Sequence, residues 1–143
     1  MKHKTEPILE VHVELDPTGT VELHGETGSV VMIPFRGTVQ GPIFRGIVEP
    51  CGVDTQVTNQ CGVRHMSARY MLTGRDEDGR DCRIYVENNG WFTDGADPMP
   101  FRTVPTFLTD SPRLAPVLHR NRFCGEGLME ESGLWIRFYE LED

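Results

Sequence analysis

With 143 residues the chain has the length of one ordinary domain, and no repeat or linker divides it, so the sequence predicts a single domain over 1–143. Fourteen Lys and Arg against 22 Asp and Glu leave a net charge of −8, which argues against nucleic acid and anionic membranes as partners. No run approaches the roughly 18–20 apolar residues of a membrane helix, and MKHKTEPILE has no apolar signal region, so a soluble cytoplasmic protein is expected.

Strand signals start at ILEVHVEL, where Leu9, Val11, Val13 and Leu15 alternate with Glu10, His12 and Glu14. Asp16-Pro17-Thr18-Gly19 reads as a turn, and a second apolar run opens at Val21. Further strands are predicted over 29–40, 43–49, 66–73, 82–88, 103–108 and 134–141. The clearest hairpin joins MSARYMLTG to DCRIYVEN through the segment Arg75 to Arg80, which contains Gly79. Asn88-Asn89-Gly90 and Asp94-Gly95 read as turns, and Asp97-Pro98-Met99-Pro100 cannot continue a central strand because proline lacks a donor. Helix is confined to one short piece near 112–120, with Ser111 as a cap and Pro116 limiting its length.

Only 38% of residues are hydrophobic, a share that suits a thin, sheet-like core. Turns every eight to twelve residues or so point the same way. The predicted fold is all-β, a single antiparallel β-barrel of closed-meander type, lipocalin-like or allene-oxide-cyclase-like. Closure removes free edges and leaves a mouth for a ligand.

The cysteines Cys51, Cys61, Cys82 and Cys124 contain no CxxC pair, and no two histidines stand four apart, so neither metal nor cofactor is expected. Asp76-Glu77-Asp78-Gly79 is a hairpin turn rather than a calcium loop, and Gly125-Glu126-Gly127 is not a dinucleotide fingerprint.

Strand alternation supplies the chemical candidates. Pairing Arg75 with Arg80 across the hairpin sets Tyr70 opposite Tyr85 and Ala68 opposite Glu87. If that face is outward, Arg69 points inward beside Met71, Ile84 and Val86. A buried guanidinium requires a carboxylate or an anionic ligand. Asp54 follows Glu49-Pro50-Cys51-Gly52-Val53, read as a strand that stops at proline and presents a carboxylate at the rim. It is a candidate general base, with capping of loop donors as the alternative. Arg102 stands among Phe101 and Phe107 as a carboxylate anchor or a surface ion pair.

In order, these segments resemble the domain-of-unknown-function family numbered 3237, small bacterial and fungal proteins built as antiparallel β-barrels. The likeness runs through four stretches: Gly46 to Asp54; Gly62 to Leu72 with Ala68-Arg69-Tyr70; Phe101-Arg102-Thr103 to Pro105-Thr106-Phe107; and Ser111-Pro112-Arg113 to Arg120, Phe123 and Gly125. Two positions depart from the pattern. Pro50-Cys51-Gly52 stands where Pro-Gly-Gly is usual, and Val117-Leu118-His119-Arg120 replaces Trp-Leu-Asn-Arg, putting a titratable imidazole in place of an amide. The resemblance implies a barrel and gives weight to Asp54, Arg69 and Arg102.

The function expected is that of a small-molecule enzyme without redox cofactor, a lyase, isomerase, cyclase or hydrolase acting on an oxygenated or carboxylated substrate. Asp54, Arg69, Tyr70 and Glu87 are the catalytic candidates, and Arg102, His119 and Arg120 the substrate-binding ones. The alternative is a barrel that only binds its ligand, and Trp91, Phe92 and Trp135 are candidates for a contact between copies in a homo-oligomer, or for the core.

Overall fold

The structure, a computed structural model, describes residues 2–93 and 99–143. The turn predicted at Asp94-Gly95 and the proline break at Asp97-Pro98 lie outside those residues. Among the described residues nine strands follow one another: β1 Leu9–Leu15, β2 Val21–Gly25, β3 Gly28–Gln40, β4 Phe44–Asn59, β5 Arg64–Asp76, β6 Asp81–Phe92, β7 Phe101–Thr109, β8 Phe123–Glu130 and β9 Gly133–Glu140. Among the same described residues one short α-helix, α1, spans Ala115–Leu118, and a 3-10 turn covers Pro17–Gly19. Neighbouring strands pair antiparallel, and β1 pairs with both β9 and β3. That double pairing closes eight strands into a barrel, as turn spacing and the low hydrophobic share predicted, while β2 extends the wall beyond β3 as a ninth strand.

Closure depends on a close approach at the β1–β3 seam. There Gly37 faces Val13, and a Cβ on Gly37 would lie 1.9 Å from the His12 carbonyl oxygen.

The sheet is longer than the sequence suggested. Asn88-Asn89-Gly90, read as a turn, continues β6, because both neighbouring strands supply partners: Asn88 stands between Ala68 and Pro105. Strand β8 was not predicted at all; at its Gly125 and Gly127 the side chains of Thr103 and Phe138, and of Phe101, on the paired neighbouring strands occupy the space a Cβ would fill.

Strand β4 does not stop at Pro50 either. Between Val48 and Val53 it advances five residues while β5 advances three, from Leu72 to Arg69, and it gains the same two residues on β3. This bulge absorbs the proline, which has no N–H for the ladder. Because the insertion is even, parity survives it, and Val48, Gly52 and Asp54 all sit on the inner side of the wall. Asp54 is therefore a strand residue facing the interior rather than a rim carboxylate on a loop.

One half of the barrel is filled. Leu9, Val11, Phe44, Leu72, Ile84, Phe107, Phe123 and Phe138 form the core, and Leu114 and Leu118 plug the end where the β5–β6 hairpin turns. Ser111 prepares the short helix: its carbonyl accepts from the Ala115 N–H at 3.0 Å and its hydroxyl accepts from the Leu114 N–H at 3.1 Å. The opposite half tapers into a cavity. All four cysteines are free, and among the described residues no helix is long and apolar enough to cross a membrane.

Candidate functional site

The inner faces of β4, β5 and β6 meet in one lateral row, Asp54–Ala68–Asn88, with Asp54 opposite Ala68 and Ala68 opposite Asn88. Strands lie about 4.8 Å apart, so the two polar side chains flank the methyl of alanine across roughly 10 Å. That small central residue opens a cavity of about 50 Å³. One water needs about 10–15 Å³ on this measure, so a few non-hydrogen atoms fit. Tyr70, two residues deeper on β5, forms part of its floor, and Thr103 on β7 joins the wall nearer the mouth. Apolar groups supply the rest, among them Phe35, Met66, Phe101, Leu134 and Ile136. Outside lies a basin of about 190 Å³, bordered by Gln56, Arg64, Ile33 and Met129, which shares Asp54, Leu15, Met66, Phe101 and Leu134 with the inner cavity.

Burial dominates the electrostatics. It pushes the Asp54 carboxyl above its ordinary value, against a 3.0 Å hydrogen bond donated by Gln56 Nε2 to Oδ2 and the nearby positive charge of Arg64. Tyr70, 4% exposed, is pushed up further still by burial and by the charge of Asp54, so its phenol stays neutral throughout the working range. Three polar atoms on the cavity wall are sealed from solvent without a hydrogen-bond partner among the described residues: Asp54 Oδ1, Asn88 Oδ1 and Thr103 Oγ1. Buried polar atoms are rarely left so, because each costs on the order of 1–3 kcal/mol. Gly125 opposite Thr103 keeps room for that hydroxyl, since a Cβ there would lie 2.2 Å from Oγ1.

The remaining candidates lie elsewhere. The inward Arg69 is overturned: its side chain is 67% exposed and pairs with Glu87 at 3.0 Å on the outer face. The cause is register. Gly79, at φ +78°, closes a three-residue turn between Asp76 and Arg80, and the strand register begins with Arg75 opposite Asp81, one residue beyond the expected pairing. Tyr70 therefore faces Val86, and Arg69 faces Glu87. Since a solvated ion pair contributes little, Arg69→Ala is expected to change unfolding free energy by less than about 1 kcal/mol in urea denaturation. Binding in the cavity should be untouched.

Arg102 is likewise exposed, opposite Glu126 on the outer wall. His119 and Arg120 follow α1 at the plugged end. There His119 Nε2 accepts the Thr109 N–H at 3.0 Å, and Arg120 lies 3.5 Å from Glu140. Of the seven site residues named from sequence, the structure brings only Asp54 and Tyr70 to the cavity. Asn88 and Thr103 were missed. Their signal was present: Asn88 keeps step with Ile84 and Val86, and Thr103 with Pro105 and Phe107, so each is a polar residue on an apolar face.

The model of a family described as protein of unknown function, DUF3237, matches residues 3–141. The chain belongs to this family. The UPF0311 protein CA_C3321 of Clostridium acetobutylicum is 30% identical over 95% of this chain and 92% of its own. A crystal structure of a protein of unknown function from Clostridium acetobutylicum ATCC 824 covers 99% of both chains with a TM-score of 0.77 and 29% identity. A crystal structure described as an enzyme from Penicillium herquei also covers 99% of both chains, with a TM-score of 0.61 and 15% identity. At that identity the likeness concerns the fold alone. Family membership thus accounts for the barrel and assigns no activity.

Proposed function

We propose that this barrel is a small-molecule enzyme that moves protons without a redox cofactor, a lyase, isomerase, cyclase or hydrolase. The observation that carries the reading is the Asp54 carboxyl, held above its ordinary pKa by burial, with one oxygen unpartnered on a cavity that also presents Tyr70. A carboxyl moved toward neutrality exchanges protons with a substrate better than an ordinary surface aspartate. The neutral phenol of Tyr70 supplies a donor for an oxygen that gains negative charge, in a site where few waters compete. Gln56 orients the second carboxylate oxygen. Catalysis on this architecture has a precedent in the Penicillium herquei protein described as an enzyme. Glu87 and Arg69, placed outside, have no part in this scheme.

The mostly apolar lining favours, as a second reading, a barrel that binds without turnover. One experiment separates the two. A metabolite mixture is incubated in D2O with the wild type or with Asp54→Asn, and untargeted mass spectrometry follows its composition. Acid–base catalysis predicts a substrate–product pair, with solvent deuterium in the product where a C–H bond forms, that appears with the wild type and not with the variant. Saturable retention of a compound that emerges unchanged supports binding alone. Equal turnover by both proteins removes Asp54 from the mechanism.

A further inference from the structure

The wall of the inner cavity contains no Lys, Arg or His among its described residues, and its unpartnered atoms are a carboxylate oxygen, an amide oxygen and a hydroxyl. Asn88 and Thr103 are each 6% exposed, face inward from adjacent strands, and leave these atoms unpaired inside an otherwise apolar surface. From this geometry we infer that the cavity selects uncharged, hydroxyl-bearing molecules with an apolar body, and that Asn88 and Thr103 are its specificity-determining residues. The inference rests on the cavity being the substrate site proposed above, and it names the class of molecule that site takes.

An alcohol entering the cavity donates its O–H to Asn88 Oδ1 or Asp54 Oδ1 and accepts from the Thr103 hydroxyl, so the pairing restores bonds that burial removed. A ketone of the same shape has no proton to donate and leaves the two carbonyl-type oxygens unpaired. A carboxylate brings a second negative charge beside Asp54 and finds no cation on the inner wall to offset its desolvation. The guanidinium of Arg64 borders only the outer basin, where it serves the mouth rather than the wall. Anionic substrates are thereby disfavoured, which revises the carboxylated substrate expected when Arg69 was placed inside and Arg102 read as a carboxylate anchor. The hydrocarbon body of the ligand packs on Phe35, Phe101, Leu134 and Ile136, and the hydroxyl sets its orientation relative to Asp54.

Three probes of four non-hydrogen atoms each, the size the inner cavity admits, test the class directly: propan-2-ol, acetone and acetate, titrated against the intact chain by NMR with the Met66 methyl as reporter. Propan-2-ol is expected to bind roughly tenfold more tightly than acetone, the ratio that one buried hydrogen bond supports, and acetate more weakly than both. Thr103→Val and Asn88→Leu, which keep approximate shape, should each bring the alcohol and the ketone within about threefold of each other. Equal wild-type affinity for alcohol and ketone, tightest binding of the carboxylate, or binding of none of the three overturns the inference, and none of these readings requires either variant to fold. An alcohol preference in a protein whose turnover ignores Asp54 would leave the ligand class standing and remove the acid–base reading. Asp54-dependent turnover of an anionic substrate would do the reverse.

Discussion

Replacing Asp54 with asparagine is expected to lower turnover by a factor of roughly 10²–10⁴, the usual worth of a positioned general acid or base, while raising the stability of the folded chain above about pH 4. The opposite signs share one cause. Burial holds the folded carboxyl above its ordinary value of 3.8, with Gln56 and Arg64 offsetting only part of the cost. Below 3.8 the carboxyl is protonated in both states, and the fold loses nothing. As pH rises past 3.8 the unfolded chain ionises first while the folded chain keeps its proton, so wild-type stability falls until the folded group has also ionised, and then levels off. Asparagine has no such titration. Guanidinium unfolding of both proteins at a series of pH values should show the variant's advantage growing from about pH 4 to a plateau on the order of 1 kcal/mol, the scale of one poorly solvated buried polar group. An advantage that shrinks as pH rises would mean that the barrel stabilises the ionised form, and the carboxyl would then be a poor acid–base group.

The largest effect on folding is expected at Gly37. On its strand, β3 pairs with β4 on one side and with β1 on the other, and the second pairing completes the ring. A methyl at Gly37 would meet the His12 carbonyl oxygen at 1.9 Å and the His12 carbonyl carbon at 3.0 Å. Both are backbone atoms, so no rotamer change relieves the overlap, and β1 must move away from β3. Gly37→Ala should therefore cost roughly 3 kcal/mol or more, at the upper end of overpacking penalties. It should also speed hydrogen exchange at the β1 amides ahead of those in β5 and β6, because the strain falls on the seam. Uniform exchange with no loss of stability would show that the barrel accommodates the methyl by shifting the whole strand.

How far the sequence could be read depends on which contacts decided each feature. The alternation of Leu9, Val11, Val13 and Leu15 was enough to orient β1, because burial of one strand face follows from hydrophobicity alone. The same logic, with turn spacing, was enough for an all-β barrel with one short helix. Asp54 and Tyr70 were named as candidates, but Asp54 was read as a rim carboxylate on a loop and Tyr70 as part of the outward face, and the register and the β4 bulge turned both inward. Arg69 went the other way. A one-residue difference in register across the Asp76–Arg80 turn exchanges inside for outside, and the composition of that turn did not say how many residues it would span. The β4 bulge at Pro50 and the continuation of β6 through Asn88 and Gly90 were equally hidden, since each depends on partners far away in the chain.

The amino-acid sequence by itself thus determined the class of fold and the acidic and helix-poor character of the chain, which rest on composition and local patterning. Tertiary structure alone decided which arginines face solvent, that a small cavity remains beyond the filled half of the barrel, and that Asn88 and Thr103 stand with Asp54 around the same space. Those outcomes depend on register and closure, which non-local strand pairing sets and which one residue more or less in a turn can reverse.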